Sequence, residues 1–253
     1  MRIAVAGGTG MVGRHIVNAV RDRGYQALVL SRRDGHDLQS GTGLASALRG
    51  ADAVIDVSNV GTLSRRGAVR FFTAATENLL AAERAAGVAH HVALSIVGID
   101  QLDASYYAGK LAQERAVMAG PVPFTILRAT QFHEFAEQVV PRASIGPLVA
   151  VPTALIRPVA AREVAQRLVE LAESAPAGRA TDLVGPRDER LIDLVRAMFS
   201  ADGVTRPTMQ QSLPGRYWRG MASGVLRGTS DHIAGETTFA QWLRSPDHTP
   251  TGR

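Results

Sequence analysis

Cysteine is absent from the 253-residue chain. This absence excludes disulfide bonds, thiolate nucleophiles and cysteine-based metal sites at once. The seven histidines offer no substitute, because none of them shows an HExxH motif or a comparable ligand spacing. The adjacent residues His90 and His91 would point to opposite faces of a strand. We therefore expect no bound metal.

Aromatic residues are scarce as well, at 5% of the chain, which leaves few platforms on which nucleic-acid bases could stack. The isoelectric point is near 10.3 although the formal net charge is only +5. Nearly all basic side chains are arginines, which stay protonated beyond about pH 12 and therefore inflate that value. They are scattered along the chain, a pattern typical of a solvated surface. We expect a small-molecule substrate, no nucleic-acid partner, and a monomer or homodimer.

Long hydrophobic runs are also missing, since no apolar stretch reaches membrane-spanning length. The chain starts with a strand-like apolar run and no signal-peptide core precedes it, so we expect a cytoplasmic protein without a membrane partner. Hydrophobic residues make up 45% and charged residues 20%, a balance typical of a globular protein. The length suffices for one large α/β domain with a small appended lobe.

Strand-like and helix-like segments alternate through the first half of the chain. Short apolar runs, typical of buried parallel strands, occupy residues 3–6, 25–30, 53–57, 91–96 and 124–127. Helical periodicity occupies residues 11–23, 44–49, 67–86 and 106–118. The alternation predicts an α/β fold with a doubly wound parallel sheet. A further, shortened strand is expected near residues 36–38.

The pattern changes beyond about residue 130, where prolines at 141, 147, 152 and 158 interrupt the chain. A helix is predicted at residues 162–174, a strand at 181–184 and a helix at 191–199. We interpret residues 131–244 as a small lobe over the carboxyl edge of the sheet, where ligands bind in open α/β proteins. It would form one continuous domain with a core of residues 1–130, followed by a flexible tail at residues 245–253.

A glycine run separates the first strand from the first helix, with Gly7, Gly10 and Gly13 in GxxGxxG spacing. Such a turn is tight and lets backbone N–H groups and a helix N-terminus face a phosphate, which favours a site for the pyrophosphate of a nicotinamide dinucleotide. A P-loop is excluded, because Arg14 and His15 stand where it requires lysine and serine or threonine. The expected contacts are Gly7, Thr9, Gly10, Met11, Val12 and Gly13.

The end of the second apolar run decides between NAD and NADP. An acidic residue there bonds the ribose 2′-hydroxyl, whereas arginine accommodates a 2′-phosphate. Here the run ends in Ser31, Arg32 and Arg33, and Asp34 comes too late. A pair of loop arginines in solvent is the alternative. We favour a 2′-phosphate site, and therefore NADP(H) as the cofactor.

The chain contains a single lysine, Lys110, among 28 lysine and arginine residues. It follows Tyr106 by four positions, and this YxxxK spacing puts both side chains on one face of a helix. An ammonium group beside a phenol favours the phenolate, which suits Tyr106 to general acid–base catalysis. Tyr107 is a less favoured candidate, and a surface lysine beside a packing tyrosine is the alternative.

Candidate substrate contacts lie in two regions. Ser95 ends the fourth apolar run, where its hydroxyl could polarise a substrate carbonyl or be satisfied by backbone. The apolar and aromatic segments 131–135 and 217–221 indicate a nonpolar or aromatic substrate. The candidates in the first of these segments are Gln131, Phe132, His133 and Phe135.

Together these motifs resemble the atypical short-chain dehydrogenase/reductase superfamily, and most of all its NmrA-like, NAD(P)H-binding branch. The similarity rests on GGTGMVGR at residues 7–14, DAVID at 52–56 leading to Ser58 and Asn59, Ser95, the YxxxK pair and ILRAT at 126–130. It covers residues 1 to about 175 and implies a Rossmann-type fold.

The resemblance also implies further cofactor contacts. Asp37 and Leu38 would contact adenine. The loop after the third predicted strand would lie along the cofactor, and the segment that starts at Thr130 would approach the nicotinamide; these residues are Ser58, Asn59, Val60, Thr130, Gln131 and Phe132. Lys110 would also bond the nicotinamide ribose.

These features favour hydride transfer from NADPH to a carbonyl or conjugated double bond. Tyr106 would donate the proton, Lys110 would be its electrostatic partner, and Ser95 would orient the substrate. Two alternatives remain, a non-catalytic dinucleotide sensor that binds a partner protein and an epimerase or isomerase that returns its hydride. The complete tyrosine–lysine pair favours an enzyme, because catalysis requires it and sensing does not.

We predict that replacing Arg32 and Arg33 together by alanine raises the KM for NADPH about tenfold or more and leaves the KM for NADH nearly unchanged, because charge-assisted hydrogen bonds to the 2′-phosphate are lost. Steady-state kinetics with both cofactors measures this. Equal effects on the two cofactors would contradict the 2′-phosphate assignment.

Overall fold

The computed structural model describes residues 1–229 and 231–250. It forms two compact units. The first comprises Met1–Arg128 and Arg162–Thr181, and the second comprises Ala129–Ala161 and the residues from Asp182 onward. The chain therefore leaves the first unit after residue 128 and returns to it for residues 162–181 before it ends in the second.

The secondary structure elements are short in the second half of the chain. The strands are β1 (Arg2–Ala6), β2 (Gln26–Leu30), β3 (Ala53–Asp56), β4 (His90–Ile96), β5 (Phe124–Ala129), β6 (Ser144–Ile145), β7 (Leu148–Pro152), β8 (Leu155–Ile156), β9 (Gly178–Arg179), β10 (Leu183–Val184), β11 (Glu189–Arg190), β12 (Thr208–Gln211) and β13 (Ile233–Ala234). The helices are α1 (Met11–Asp22), α2 (Leu44–Ala47), α3 (Arg65–Ala86), α4 (Ser105–Ala119), α5 (Phe135–Ala143), α6 (Ala161–Glu173), α7 (Leu191–Ala201), α8 (Arg216–Ser223) and α9 (Phe239–Trp242).

The first unit is built on a sheet in the order β5-β4-β3-β1-β2, with β9 beside β5. The pairs β1–β2, β1–β3 and β3–β4 are parallel. Residues 3–6 of β1 and all of β3 are buried, because flanking helices cover the sheet. The predicted Rossmann-type parallel sheet is confirmed.

Apolar side chains hold the helices of the first unit to this sheet. One cluster joins Ala4 and Val54 of the sheet to Leu44 of α2 and Leu79 of α3. The helix α1 buries the predicted apolar stripe, which includes Ile16. Ser64 caps α3 by accepting a hydrogen bond from the backbone N–H of Gly67 at 3.2 Å.

The prediction of a strand near residues 36–38 is wrong, since these residues form a loop. Gly35 and Gly43 on either side adopt positive φ angles, which turn the backbone away from an extended path. The side-chain amide of Asn78 donates to the carbonyl oxygens of Leu38 at 3.0 Å and Gln39 at 2.8 Å. A side chain from α3 thus replaces a neighbouring strand as the hydrogen-bond partner.

The expectation that Pro141 interrupts the chain is also wrong. It lies inside α5, near the helix C-terminus. Proline removes one backbone donor, and in the last turn little of the helix remains to be disrupted. The helix predicted at residues 162–174 is confirmed as α6, and its residues from Arg162 onward belong to the first unit.

The second unit contains small sheets. In one, β7 pairs antiparallel with β6 and parallel with β12. In another, β8 pairs antiparallel with β11. The strand β10 pairs in parallel with β13, and its Leu183 pairs with Ala129.

His248 anchors the described part of the segment for which a flexible tail is expected. Its Nδ1 lies 2.6 Å from Oε1 of Glu137, and its Nε2 lies 2.7 Å from Oδ1 of Asp202. The His248 ring also contacts the ring of Trp242, with centroids 4.9 Å apart. Residues 251–253 of the expected tail lie outside the described residues.

Within residues 1–229 and 231–250, no helix has both the length and the apolar character needed to cross a membrane. The same residues contain no group of three or more histidine, aspartate and glutamate side chains placed to hold a metal ion.

We predict that His248 makes stability depend on pH. Burial alone would lower the pKa of His248, but its hydrogen bonds to Asp202 and Glu137 outweigh burial, so the pKa is raised. The stabilisation is therefore complete below the unfolded pKa of about 6.5 and is lost as the pH rises through the folded pKa. The measurement is the free energy of urea unfolding of wild type and His248→Gln between pH 6 and pH 9, and the difference should shrink towards high pH.

The matched control is His232→Gln, because His232 Nδ1 bonds a backbone carbonyl, that of Thr229, at 2.5 Å. A difference between wild type and His248→Gln that stays constant across this pH range would contradict the prediction.

Candidate functional site

The candidate residues of the first unit follow the carboxyl ends of neighbouring strands. The glycine run follows β1, Arg32 follows β2, Ser58 follows β3, and Ser95 lies near the end of β4. The register pairs Ala6 of β1 with Leu30 of β2 and with Asp56 of β3, so these strands end at one level. The parallel sheet therefore brings the candidates to one edge, where open α/β proteins bind ligands.

The glycine run forms a backbone cradle with no room for side chains. A Cβ atom on Gly13 would lie 2.1 Å from the carbonyl oxygen of Gly7, and one on Gly7 would lie 2.8 Å from the carbonyl oxygen of Val57. Gly7 also has a φ angle of +83°, which favours glycine. Only glycine permits this approach of β1, α1 and the loop after β3.

The N-terminus of α1 is left open towards an anion. Its N-cap residue is Gly10, no side chain caps it, and its first turn holds no acidic residue. The uncapped N–H groups and the helix dipole favour a negative charge there. The buried hydroxyl oxygen of Ser58 has no hydrogen-bond partner in the structure. These residues fit a dinucleotide pyrophosphate.

Arg32 and Arg33 lie on a short 3₁₀ turn, Arg32–Asp34, directly after β2. Both are exposed. The carboxylate of Asp34 accepts a hydrogen bond from the Ser31 hydroxyl at 2.5 Å. Two arginines therefore stand in solvent beyond the end of β2.

Asp37 and Leu38 lie in the loop held by Asn78, and the Asp37 carboxylate accepts from the backbone N–H of Gln39 at 2.8 Å. Their loop is stabilised from α3 instead of by sheet pairing.

Tyr106 and Asn59 are in direct contact. The Tyr106 hydroxyl donates to Oδ1 of Asn59 at 2.8 Å, and the same oxygen accepts from the backbone N–H of Val60 at 2.7 Å. Tyr106 is half-buried and its ring contacts Phe72 edge-on, with centroids 5.7 Å apart. The phenol is therefore tied to the loop after β3.

Lys110 is buried one turn further along α4. Its ammonium donates to the carbonyl oxygen of Leu94 at 2.6 Å and to Oε1 of Gln113, and it lies 4.9 Å from the centroid of the Phe72 ring. Burial lowers the pKa of Lys110 to about 8, against the opposing effects of Asp56 and Glu114. The pKa of the amine therefore lies well below that of a lysine in water.

A close helix contact holds Lys110 in this position. Its neighbour Gly109 lies where α4 meets α3, since a Cβ there would be 2.7 Å from the Phe72 ring and 2.8 Å from Ala68. The close approach removes water from the lysine and leaves α4 little freedom to shift.

Ser95 is 3% exposed and lies on β4 next to Leu94, whose carbonyl accepts from Lys110. Its hydroxyl oxygen has no hydrogen-bond partner in the structure. A buried hydroxyl without a partner is uncommon in native structures.

Asp56 and Gln113 were not among the residues expected at the site. Asp56 ends β3 and is fully buried, and Gln113 is 1% exposed. Nε2 of Gln113 donates to Oδ2 of Asp56 at 2.8 Å. A sequence signal for Asp56 existed, because a carboxylate inside an apolar strand requires a buried partner.

The remaining expected contacts belong to the second unit. Thr130 is buried there, donates its N–H to the Leu183 carbonyl at 3.1 Å and accepts at Oγ1 from Gly185 at 3.2 Å. Phe132 forms a parallel bridge with Val159, whose N–H donates to the carbonyl of Gln131 at 2.8 Å.

His133 is buried in an aromatic cluster of the second unit. Its Nε2 bonds the Thr237 carbonyl at 2.9 Å, and its ring lies 5.6 Å from that of Phe239 and 5.8 Å from that of Trp242. It also lines a small pocket. Phe135, which begins α5, is half-buried.

Comparison with known proteins gives a family match over most of the chain. A family model described as NAD(P)H-binding matches residues 7–175. A curated relative, the (4-alkanoyl-5-oxo-2,5-dihydrofuran-3-yl)methyl phosphate reductase of Streptomyces griseus subsp. griseus, is 33% identical over 145 residues, covering 51% of this chain and 48% of the relative. The chain thus spans about half the length of that relative.

Solved structures share the fold at low sequence identity. A nucleoside-diphosphate-sugar epimerase from Staphylococcus aureus has a TM-score of 0.74 at 15% identity, and the match covers 97% of this chain and 100% of the epimerase chain. The triphenylmethane reductase of Citrobacter sp., complexed with NADP(H), has a TM-score of 0.73 at 17% identity and covers 96% and 99%. The chain belongs to the NAD(P)H-binding family, and these solved structures share its fold.

Proposed function

We propose that the protein is an NADPH-dependent oxidoreductase of the NmrA-like type that reduces a carbonyl or conjugated double bond in a small nonpolar or aromatic molecule. The observation that carries this is the arrangement on α4, where the Tyr106 hydroxyl is tied to Asn59 and a buried Lys110 lies one turn away. The Streptomyces griseus relative is named a (4-alkanoyl-5-oxo-2,5-dihydrofuran-3-yl)methyl phosphate reductase, which supports reduction as the reaction class.

The residues of the first unit have distinct roles towards the cofactor. The backbone cradle from Gly7 to Gly13 would hold the pyrophosphate, and Arg32 and Arg33 would hold the 2′-phosphate. A bound nicotinamide supplies the hydride. The buried hydroxyl of Ser58 would take a polar partner from the cofactor.

The proton is supplied by Tyr106. Its hydroxyl donates a hydrogen bond to Asn59, which keeps the phenol in one orientation. On reduction the hydroxyl proton passes to the substrate. The positive charge of Lys110 favours the phenolate that is left behind. The Ser95 hydroxyl would donate a hydrogen bond to the substrate carbonyl and so polarise it.

The substrate contacts are proposed to come from Gln131, Phe132, His133 and Phe135 of the second unit. Their apolar and aromatic character supports a nonpolar substrate. His133 is packed among aromatic rings, so it would contribute to the shape of the substrate-binding surface.

We predict that Tyr106→Phe lowers kcat for carbonyl reduction by about 10²-fold or more, because it removes the proton donor and leaves the ring packing. The matched control is Tyr107→Phe, since Tyr107 is the buried neighbour on the same helix turn. NADPH consumption with a panel of aldehydes, ketones and enones measures both. An equal loss in both variants would contradict the assignment of Tyr106.

The same assay separates the competing functions. A reductase consumes NADPH in proportion to substrate, whereas an epimerase or isomerase converts substrate without net NADPH loss. A sensor binds NADPH and converts nothing.

We also predict that Gly13→Ala weakens NADPH binding at least about tenfold and lowers the free energy of unfolding by about 1–3 kcal/mol, because the new methyl group meets backbone atoms. The control is Gly61→Ala, where a Cβ meets nothing within 4 Å. NADPH fluorescence titration and urea unfolding measure the two effects. Wild-type binding by Gly13→Ala would rule out the cradle.

A further inference from the structure

A row of buried hydrogen bonds in the first unit connects the loop after β3 to the lysine of α4. The backbone N–H of Ser58 donates to Oδ1 of Asp56 at 2.8 Å, and Nε2 of Gln113 donates to Oδ2 of the same carboxylate at 2.8 Å. Oε1 of Gln113 accepts from the ammonium of Lys110, which also donates to Leu94. We refer to Asp56, Gln113 and Lys110 as the buried polar string.

The amide of Gln113 has one workable orientation in this string. Its NH₂ group faces the Asp56 carboxylate and its oxygen faces the Lys110 ammonium. The reversed amide would set a donor against the ammonium and an acceptor against the carboxylate. The two charged groups therefore fix the orientation of the Gln113 amide, and the amide in turn fixes the positions of both groups.

Burial makes each side chain of the buried polar string depend on its hydrogen-bond partners. The relative exposures of Asp56, Gln113 and Lys110 are 0%, 1% and 4%. A buried ammonium or carboxylate without a partner is strongly disfavoured, so each member depends on the next. The amide also keeps Lys110 beside the Leu94 carbonyl instead of in direct contact with Asp56.

We propose that Gln113 is a positioning residue that holds the Lys110 ammonium at the Leu94 carbonyl, next to Ser95, and couples it through Asp56 to the loop that begins at Ser58. This inference rests on the proposed function, since it assigns a role around the acid–base lysine. It extends the site from residues that would touch the substrate to a pair that acts through Lys110.

The charges around the string set the direction of the expected effects. Burial lowers the pKa of Lys110, while Asp56 and Glu114 oppose burial. Glu83 of α3 and His91 of β4 form a buried pair on the neighbouring elements. The charge of Asp56 acts to raise the pKa of both. Loss of the Gln113 acceptor removes a bond that the charged amine makes more strongly than the neutral amine, so the pKa of Lys110 should fall further.

The single lysine makes a direct measurement possible. Protein labelled with ¹³C-lysine gives one ε-carbon signal, that of Lys110, and its pH titration reports the protonation of the amine without substrate or turnover. We expect a wild-type midpoint near 8. In Gln113→Leu, which keeps the volume but not the hydrogen bonds, the midpoint should fall by roughly half a pH unit or more.

Asp56→Asn provides a second variant that keeps the proposal testable if Gln113→Leu fails to fold. Asparagine offers one oxygen for the two donors, Ser58 N–H and Gln113 Nε2, so the string is broken at its other end. The midpoint of Lys110 should fall here too, because the string is broken and because the Asp56 charge that raises the pKa of Lys110 is lost. The control is Gln101→Leu, an exposed glutamine of the same unit, in which the midpoint should stay at the wild-type value.

Kinetics then distinguishes this proposal from the proposed function. If charged Lys110 serves catalysis, the alkaline limb of kcat for NADPH-dependent reduction shifts to lower pH together with the NMR midpoint. An NMR shift in Gln113→Leu, which changes no charge, supports the positioning role, and failure of the kinetic limb to follow it counts against Lys110 in catalysis. An unchanged Lys110 midpoint in both folded variants would overturn the role of Gln113.

Discussion

The approach of Gly13 to Gly7 is the constraint on which the arrangement of the first unit depends. With 2.1 Å between an added Cβ and the Gly7 oxygen, no side chain fits where β1 turns into α1. The same turn presses Gly7 against Val57, so it also fixes the loop after β3. That loop carries Asn59, which holds the Tyr106 hydroxyl. These two backbone contacts thus orient both the N-terminus of α1, which no side chain caps, and the phenol.

A second close contact determines the chemistry of the lysine. Where Gly109 lets α4 approach α3, the Lys110 amine is enclosed by Phe72 and loses its hydration. Desolvation lowers its pKa towards neutrality, and the neutral acceptors Leu94 and Gln113 replace water without adding a full negative charge. Packing therefore adjusts the protonation of a group that the sequence marks by its rarity and by its YxxxK spacing from Tyr106.

The sequence predicts those parts of the fold that local pattern determines. Buried parallel strands are continuous apolar runs, so the central strands and the edge they share were predictable, as was the glycine turn. The loop at residues 36–38 was not, because the side chain of Asn78, forty residues away from Leu38, supplies its hydrogen bonds. The buried polar string escaped for the same reason, since Gln113 and Asp56 are 57 positions apart.

The choice of arginine or lysine at buried positions follows from what each site requires. Arg128 binds Glu114 at 2.8 and 2.7 Å and also bonds Asp100, and these bonds raise its pKa further, so it is a permanent charge in a structural network. Arg179 also bonds Glu114, at 2.8 Å. Glu114 is one turn from Lys110, yet two arginines occupy its carboxylate, and the lysine is bonded instead to a carbonyl and an amide. A guanidinium there would stay charged at any working pH, whereas a compact amine can lose its proton. The only lysine of the chain therefore lies at a buried position where both of its hydrogen-bond acceptors are neutral.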